Sequence, residues 1–464
     1  MPSRKIVYPY IPNSEPAIRA AMLKEVGATS VDEFYADIPP ALRFEGRMNL
    51  PAPFLSEAAL RYHVEGLLRK NTTAQQNLNF LGAGCYQHHV PAVCDEINSR
   101  GEFLTAYAGE PYDDHGRFQA LFEYCSMMAE LLEMDVVNVP TYDGFQAAAT
   151  SLRMACRITA RTRVLLAATL GRDQLSKIRD YLKPEIEIAF VEHQPQTGGM
   201  NLEHLVKLLT PDVAAIYFEN PSYLGFLETR GQEIADLAHK HGALTVVSVD
   251  PISLGVLEPP VNYGADIVCG DIQPLGMHMQ FGGGQAGFIA SRDEEKFVMQ
   301  YPSRLFGIAP TRVPGEYSFG DVAYERTSFA KREEGNEWVG TAAALWGITA
   351  GVYLALMGPQ GMKEIGETIL YHSHYALQEL AIIKGVRTDL FAAPHFKEFV
   401  VNFDGTGKKV VDINKALLEK DIFGGKDLSR EFPWLGESAL YCFTEIHTKE
   451  DIDRLVAALK EVLA

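Results

Sequence analysis

The chain has 464 residues, enough for two or three domains, and its 47% apolar and 22% charged residues are ordinary for a globular protein. The 60 acidic and 42 basic residues give a formal net charge of −18, which argues against nucleic acid or an anionic membrane as the main partner. Six scattered cysteines without a C-x-x-C pair, and an N-terminus that lacks an apolar secretion signal, favour a reducing, cytoplasmic compartment.

Residues 1–70 are predicted to form a peripheral helical arm. Ser14 and Ser56 stand where helix N-caps are expected, and Ile18 and Met22 follow Ser14 at helical spacing. Pro-rich turns separate the helical stretches. Because such an arm has no core of its own, we expect it to wrap a neighbouring domain or a second subunit.

Two adjacent histidines, His88 and His89, lie in the segment 79–93. Adjacent side chains on a strand point to opposite faces, whereas a metal site needs ligands that converge from several parts of the chain. We therefore predict a structural or substrate-loop role for the pair, and no metal.

Short apolar strands alternate with helical segments from residue 136 onward. That alternation predicts an α/β fold built on a mostly parallel, doubly wound sheet. Beyond about residue 325 the pattern changes, so we predict a large domain at 71–325 and a smaller α+β domain at 326–464. The predicted strands of the large domain are 136–140, 164–168, 186–191, 213–219, 244–249 and 265–269.

The uncharged stretch 338–362 has the length of a bilayer span and contains a small-x-x-x-small pair, Gly347 and Gly351. Its many Ala, Gly and Thr residues make it only mildly apolar, and no second span accompanies it. A helix buried inside the protein is therefore the favoured interpretation, and we expect no membrane partner.

One predicted strand ends on Asp250, and ligands of open α/β sheets bind at the carboxyl ends of the strands. An aspartate there can hold the ring nitrogen of pyridoxal phosphate (PLP) protonated. The next strand should then end at a Schiff-base lysine, but that position reads Gln273-Pro274, and no lysine occurs between Lys240 and Lys296. Asp250 is thus either a cofactor partner or, as we favour, a vestigial or structural residue that caps the PISLG turn or pairs with a base.

The tripeptide Tyr142-Asp143-Gly144 opens a predicted helix directly after a strand, where backbone amides bind phosphate. Asp143 would oppose a phosphate dianion and is itself a good N-cap, so capping is the favoured role. His278 could face this pocket or an interface, although a structural role is favoured. The glycines at 282–284 lack the Gly-Lys-Ser/Thr of a P-loop and indicate close backbone approach.

Several segments carry a family resemblance: NFLGAGCYQHHVPAV, VDPISLG, QPLGMHMQFGGGQAGF and TEIHTKEDIDRLV. With the N-terminal YIPNSEPAIRAAMLKEVG, they make nearly the whole chain resemble the alpha subunit (subunit 1) of the split glycine dehydrogenase (decarboxylating), the P-protein of the glycine cleavage system. The resemblance implies a fold type I PLP-dependent transferase-like fold. It also implies that a catalytic beta subunit holds PLP through its own lysine, in an α2β2-type assembly.

The implied reaction is glycine decarboxylation with transfer of the aminomethyl group to the lipoyl arm of H-protein. In this interpretation the aromatic loop, with Tyr107, Tyr112 and His115, is either solvated or lent to the partner's active site. The sequence departs from the family pattern at 110–116 and 324–341. These departures leave two alternatives open: a paralogue that acts on another small amine, and a catalytically inactive scaffold or regulatory homologue.

Overall fold

The computed structural model of the chain describes residues 7–8, 10–44, 46, 48–103, 115–340 and 342–464, with the side chains at 115 and 116 outside the description. Two compact units are distinguished, Met1–Asn71 and Thr72–Ala464. The helices are α1 (Pro16–Glu25), α2 (Glu57–Leu68), α3 (Ala92–Asn98), α4 (His115–Leu132), α5 (Gly144–Thr159), α6 (Arg172–Leu182), α7 (Leu202–Leu208), α8 (Gly231–Lys240), α9 (Glu295–Val298), α10 (Ala344–Ala381), α11 (Val410–Leu418) and α12 (Lys449–Leu463). The strands are β1 (Leu78–Asn79), β2 (Val136–Val137), β3 (Arg163–Ala167), β4 (Glu187–Val191), β5 (Val213–Glu219), β6 (Leu244–Ser248), β7 (Ile267–Asp271), β8 (Gly287–Ser291), β9 (Phe306–Pro310), β10 (Tyr317–Asp321), β11 (Glu398–Asn402), β12 (Ile422–Phe423), β13 (Lys426–Asp427) and β14 (Ser438–Cys442).

The first unit is helical, and its helices α1 and α2 bury none of their residues. The cap predicted at Ser56 is confirmed, because its hydroxyl accepts a hydrogen bond from a backbone amide of α2 at 3.4 Å. The cap predicted at Ser14 is wrong. Ser14 ends a short 3₁₀ turn, and the Glu15 carboxylate caps α1 instead, accepting two backbone N–H groups at 2.6 and 3.1 Å just before Pro16.

A seven-stranded sheet in the order β2-β8-β7-β6-β5-β3-β4 forms the centre of the second unit. Strands β3 to β7 pair in parallel, which confirms the mostly parallel sheet. The predicted strand 136–140 is reduced to the two-residue strand β2. It pairs antiparallel with β8, which itself runs antiparallel to β7.

The parallel strands bring three chain positions to one edge of this sheet. Glu219 at the end of β5 pairs with Ser248 of β6, and Ser248 pairs with Cys269 of β7. The carboxyl ends of β5, β6 and β7 therefore lie side by side. Their central residues are fully buried, as expected of strands covered by helices on both faces.

Helix α10 contains residues 344–362 of the uncharged stretch identified in the sequence. It packs against α4, and a Cβ at Gly351 would stand 3.3 Å from the Cα of Tyr124, so the small residues serve close helix packing. A break at Gly358 precedes Pro359, which cannot continue an undistorted helix. Among the residues that the structure describes, none of the helices combines the length and the apolar character that a bilayer crossing requires.

An antiparallel sheet, β11-β14-β13, packs with α11 and α12 in the C-terminal part of the chain. Thr448 caps α12 in a reciprocal pair with Asp451. The turn after β5 contacts the segment that leads into this sheet. The N–H of Phe396, which precedes β11, donates to the carbonyl of Gly225 in that turn at 3.2 Å.

Gly225 is the residue that permits this contact. Its φ is +88°, and a Cβ would stand 2.0 Å from the carbonyl oxygen of Glu398. We expect Gly225→Ala to lower the free energy of unfolding by about 3 kcal/mol, because the change adds left-handed strain to a backbone clash. Urea unfolding followed by circular dichroism measures the loss. Gly320→Ala, where a Cβ meets nothing within 4 Å, is the control, and an equal loss there would contradict the explanation.

Candidate functional site

A cavity of about 520 Å³ opens at the carboxyl ends of β5, β6 and β7. Its walls come from these strand ends, from the first residues of α5 and α6, and from the segment 83–86. This is the crevice in which open α/β sheets bind their ligands. The cavity contains the predicted Asp250 and Gly144 among its lining residues.

Asp250 makes two contacts with the protein itself. One carboxylate oxygen, Oδ1, accepts the N–H of Ile252 at 3.1 Å and so caps the PISLG turn. The other, Oδ2, lies 2.5 Å from Nζ of Lys397. Among the described residues, Oδ2 accepts no hydrogen bond with favourable angles. Its close contact with Lys397 is therefore an ion pair. Asp250 is thus already paired with a cation.

Lys397 is enclosed almost completely, with 2% of its side chain exposed. Its ammonium lies 3.2 Å from the centroid of the Tyr86 ring, a close cation–π contact, and 3.5 Å from Nε2 of His88. The backbone φ of Lys397 is +47°, a left-handed value that is uncommon for a lysine. Lys397 was not singled out in the sequence, because it joins Asp250 only through tertiary folding.

His88 continues the network away from the cavity. Its Nδ1 lies 2.7 Å from Glu445, and the neighbouring N–H of His89 donates to the same carboxylate at 2.6 Å. Burial acts to raise the pKa of Glu445, but the charge and hydrogen bonds of this pair lower it to about 2. The two histidines therefore bind a carboxylate of the chain. Within the described ranges, no group of three or more His, Cys, Asp or Glu side chains could hold a metal ion.

Gln273 occupies the position at which a Schiff-base lysine was expected. It is fully buried, and its amide oxygen accepts the N–H of Tyr86 at 2.9 Å. Its amide nitrogen donates to the carbonyls of Tyr86 at 2.8 Å and of Met277 at 3.1 Å. Gln273 therefore fixes the backbone of Tyr86, and Tyr86 in turn covers the ammonium of Lys397.

The start of α5 is occupied by carboxylates. Asp143 caps the helix by accepting the N–H of Gln146 at 2.7 Å, and its other oxygen lies 2.8 Å from Nζ of Lys177. The N–H of Gly144 donates to Asp271 at 2.8 Å. These amides would otherwise be available to a phosphate.

Five other predicted residues lie apart from this network or outside the description. The Tyr142 hydroxyl donates to the carbonyl of Gly340 at 2.5 Å, and its side chain is half exposed. His278 forms a half-exposed pair with Asp95 at 3.0 Å. Tyr107, Tyr112 and the side chain of His115 lie outside the described residues.

The residues present do not fit PLP. A pyridine nitrogen would have to displace the Lys397 ammonium from Asp250. A phosphate would meet Asp143 at the helix N-terminus, and Gln273 offers no amine for a Schiff base. All three anchoring positions are filled by side chains of this chain.

Two buried carboxyls, Glu219 and Asp271, line the cavity, and a third, Glu398, contacts its lining residues. Burial raises the pKa of Glu219, of Asp271 and of Glu398 to about 7 in each case. Glu398 accepts the N–H of Ala83 at 2.6 Å and the hydroxyl of Tyr86 at 3.0 Å, so it belongs to the same network.

The chain matches, over residues 9–459, a family model described as glycine cleavage system P-protein. The chain belongs to this P-protein family. Two relatives named probable glycine dehydrogenase (decarboxylating) subunit 1 support the assignment. The one from Staphylothermus marinus is 40% identical over 98% of both chains, and the one from Moorella thermoacetica is 37% identical over 98% of this chain and 100% of its own.

Solved structures agree with the P-protein assignment. A crystal structure of glycine decarboxylase (P-protein) in inhibitor-bound form is 33% identical, with a TM-score of 0.84 over 98% of this chain and 100% of that one. A sphingosine-1-phosphate lyase from Burkholderia pseudomallei is 13% identical with a TM-score of 0.64 over 92% of this chain and 94% of its own, and it shows the fold alone. The expected fold type I PLP-dependent transferase-like fold is therefore confirmed.

Two residues of the segment 324–341, where the sequence analysis found a departure from the P-protein pattern, contact other parts of the chain. Asn336 donates to the carbonyl of Met299 at 2.9 Å, and Glu337 pairs with Arg157 of α5 at 2.6 Å. The departures at 336 and 337 thus make structural contacts within this chain.

We expect Lys397→Met to lower the free energy of unfolding by roughly 3 to 5 kcal/mol, because it leaves the Asp250 carboxylate buried without its partner. The double variant Asp250→Asn/Lys397→Met removes both charges and should recover most of the loss, as measured by urea unfolding. Arg387→Met, which breaks the exposed pair with Asp389, is the control and should change little. A double variant whose loss in free energy of unfolding equals the sum of the losses from its two single substitutions would contradict the ion pair.

Glu398→Gln tests the buried carboxyls. The folded pKa of about 7 lies above the unfolded value, so wild-type stability from this group is complete at low pH and is lost as pH rises through 7. We expect the variant to be roughly 2 to 3 kcal/mol more stable than wild type at pH 8 and nearly equal at pH 5. Unfolding in urea at both pH values measures this. Glu367→Gln on the exposed face of α10 is the control; a constant Glu398→Gln difference at both pH values would refute the assignment.

Proposed function

We propose that this chain is the alpha subunit of a split glycine dehydrogenase (decarboxylating), and that it works beside a lysine-bearing beta subunit that holds PLP. One observation carries this proposal: the Lys397 ammonium fills the position on Asp250 that a pyridine nitrogen would need. Gln273 and Asp143 support it at the two other anchoring positions. Relatives named subunit 1 imply that a second subunit exists.

The proposed reaction belongs to the complex. Glycine loses CO₂, and its aminomethyl group passes to the lipoyl arm of H-protein. PLP, bound by the beta subunit, supplies the electron sink for decarboxylation. The proposed role of this chain is to complete an α2β2 assembly and to lend Tyr107, Tyr112 and His115 to the partner's active site.

We place the complex in the cytoplasm. All six cysteines lack a disulfide partner, and five of them are buried, as is typical of proteins from reducing compartments. Burial raises the pKa of Cys85, the sixth, to about 11, so this thiol is poorly reactive at neutral pH. The contacts of Asn336 and Glu337 within this chain favour a structural origin for the departures over a different amine substrate.

Reconstitution tests the proposal. The purified chain is mixed with a lysine-bearing subunit 2 of a split P-protein, PLP, glycine and lipoylated H-protein, and CO₂ release is measured. Borohydride reduction and peptide mapping then locate the pyridoxyl label. We expect CO₂ release only when both subunits are present, with the label on the companion alone. A label on this chain, or full activity of the companion alone, would refute the proposal.

A further inference from the structure

The missing lysine alone does not explain why this cavity would refuse PLP. A volume of about 520 Å³ lies in the range of small-molecule sites, and it remains open between the strand ends. Replacing the lysine by Gln273 removes a covalent bond but leaves room for noncovalent binding. Another group must therefore compete with the ring.

Asp250 identifies that group. One of its oxygens caps the PISLG turn, which leaves the other as the less engaged acceptor for a pyridinium N–H. That oxygen is the one paired with Lys397 at 2.5 Å. A second cation on the same oxygen would repel the first, and neutralising Lys397 in place would cost the buried pair its attraction.

The surroundings hold Lys397 in this position. The N–H of Phe443 donates to the Lys397 carbonyl at 2.7 Å, and the Tyr86 ring covers the ammonium at 3.2 Å. Tyr86 is itself clamped by Gln273 through both its N–H and its carbonyl. Because a left-handed lysine costs backbone energy, the φ of +47° requires compensation by these contacts.

The geometry points to Lys397 as the residue that determines cofactor refusal: its ammonium is a resident substitute for the ring cation of a pyridine cofactor. Gln273 contributes by fixing Tyr86 over that ammonium, in addition to lacking an amine. This inference rests on the proposed function, in which the companion subunit holds PLP. It adds that refusal of the pyridine ring is reversible at one side chain, while Asp143 opposes the phosphate separately.

Lys397→Ala should open the site. The probe is pyridoxine, which carries the pyridine ring but has no aldehyde to react with surface lysines, no phosphate to meet Asp143 and no alkylammonium that could itself pair with Asp250. We expect Lys397→Ala to bind pyridoxine roughly tenfold more tightly than wild type, as measured by probe fluorescence, which corresponds to one hydrogen bond to a charged group. The gain should disappear in Asp250→Ala/Lys397→Ala.

The second probe separates the two barriers. Pyridoxine 5′-phosphate should gain further affinity only when Asp143→Ser is added to Lys397→Ala, because Asp143 opposes the phosphate. Equal binding by wild type and folded Lys397→Ala would overturn the inference. So would a gain that survives in Asp250→Ala/Lys397→Ala, since a nonspecific enlarged cavity would then explain it.

A second measurement tests the inference if Lys397→Ala is too unstable for the binding experiment. If Lys397→Ala does not fold alone, ethylammonium chloride should restore its melting transition in a saturable way by supplying the missing cation beside Asp250. Tetramethylammonium, which cannot donate a hydrogen bond, is the control. Equal effects of the two salts would overturn the inference. These measurements use this chain alone. Their failure would overturn the inference about Lys397 but not the proposed function, which the reconstitution experiment tests separately.

Discussion

A buried ion pair between Lys397 and Asp250 is the interaction on which the architecture of the cavity depends. Ion pairs that are removed from water gain little over well-packed apolar side chains, yet losing one partner is costly. The pair therefore constrains both residues to remain together. It also connects two distant parts of the chain, the end of the parallel sheet and the residue that precedes β11.

Other buried charged groups accompany this ion pair. Lys397 is the cation beside Asp250, while Glu398, Glu219 and Asp271 are buried carboxyls whose pKa values burial raises to about 7. A cavity of this kind favours cations or neutral groups over the phosphate of PLP. The P-protein fold has thus kept the cavity of a fold type I enzyme while its anchoring positions serve the chain itself.

The sequence predicted what depends on local patterns. Buried runs such as 213–219 and 244–249 indicated parallel strands, and the strand-end rule located Asp250 and the vacancy at Gln273. The cap at Ser14 was wrong because a 3₁₀ turn before Pro16 shifted the helix start by one residue. That choice depends on backbone geometry that residue types alone do not specify.

Lys397 could not be found in the same way. It stands before an ordinary apolar strand, and a lysine in that position is usually exposed. Its burial follows from the packing of Tyr86 and β11 against the end of β6, a long-range arrangement without a sequence period. The one local signal was an aspartate at a strand end whose expected cofactor lysine is absent. Without a bound pyridinium, such a carboxylate needs another cation.

The most direct measurement is a crystal structure of the complete complex grown with PLP. The account predicts cofactor density in the companion subunit, with Nζ of Lys397 still within hydrogen-bonding distance of Asp250 in this chain. Density for a pyridine ring beside Asp250, with Lys397 displaced, would contradict it.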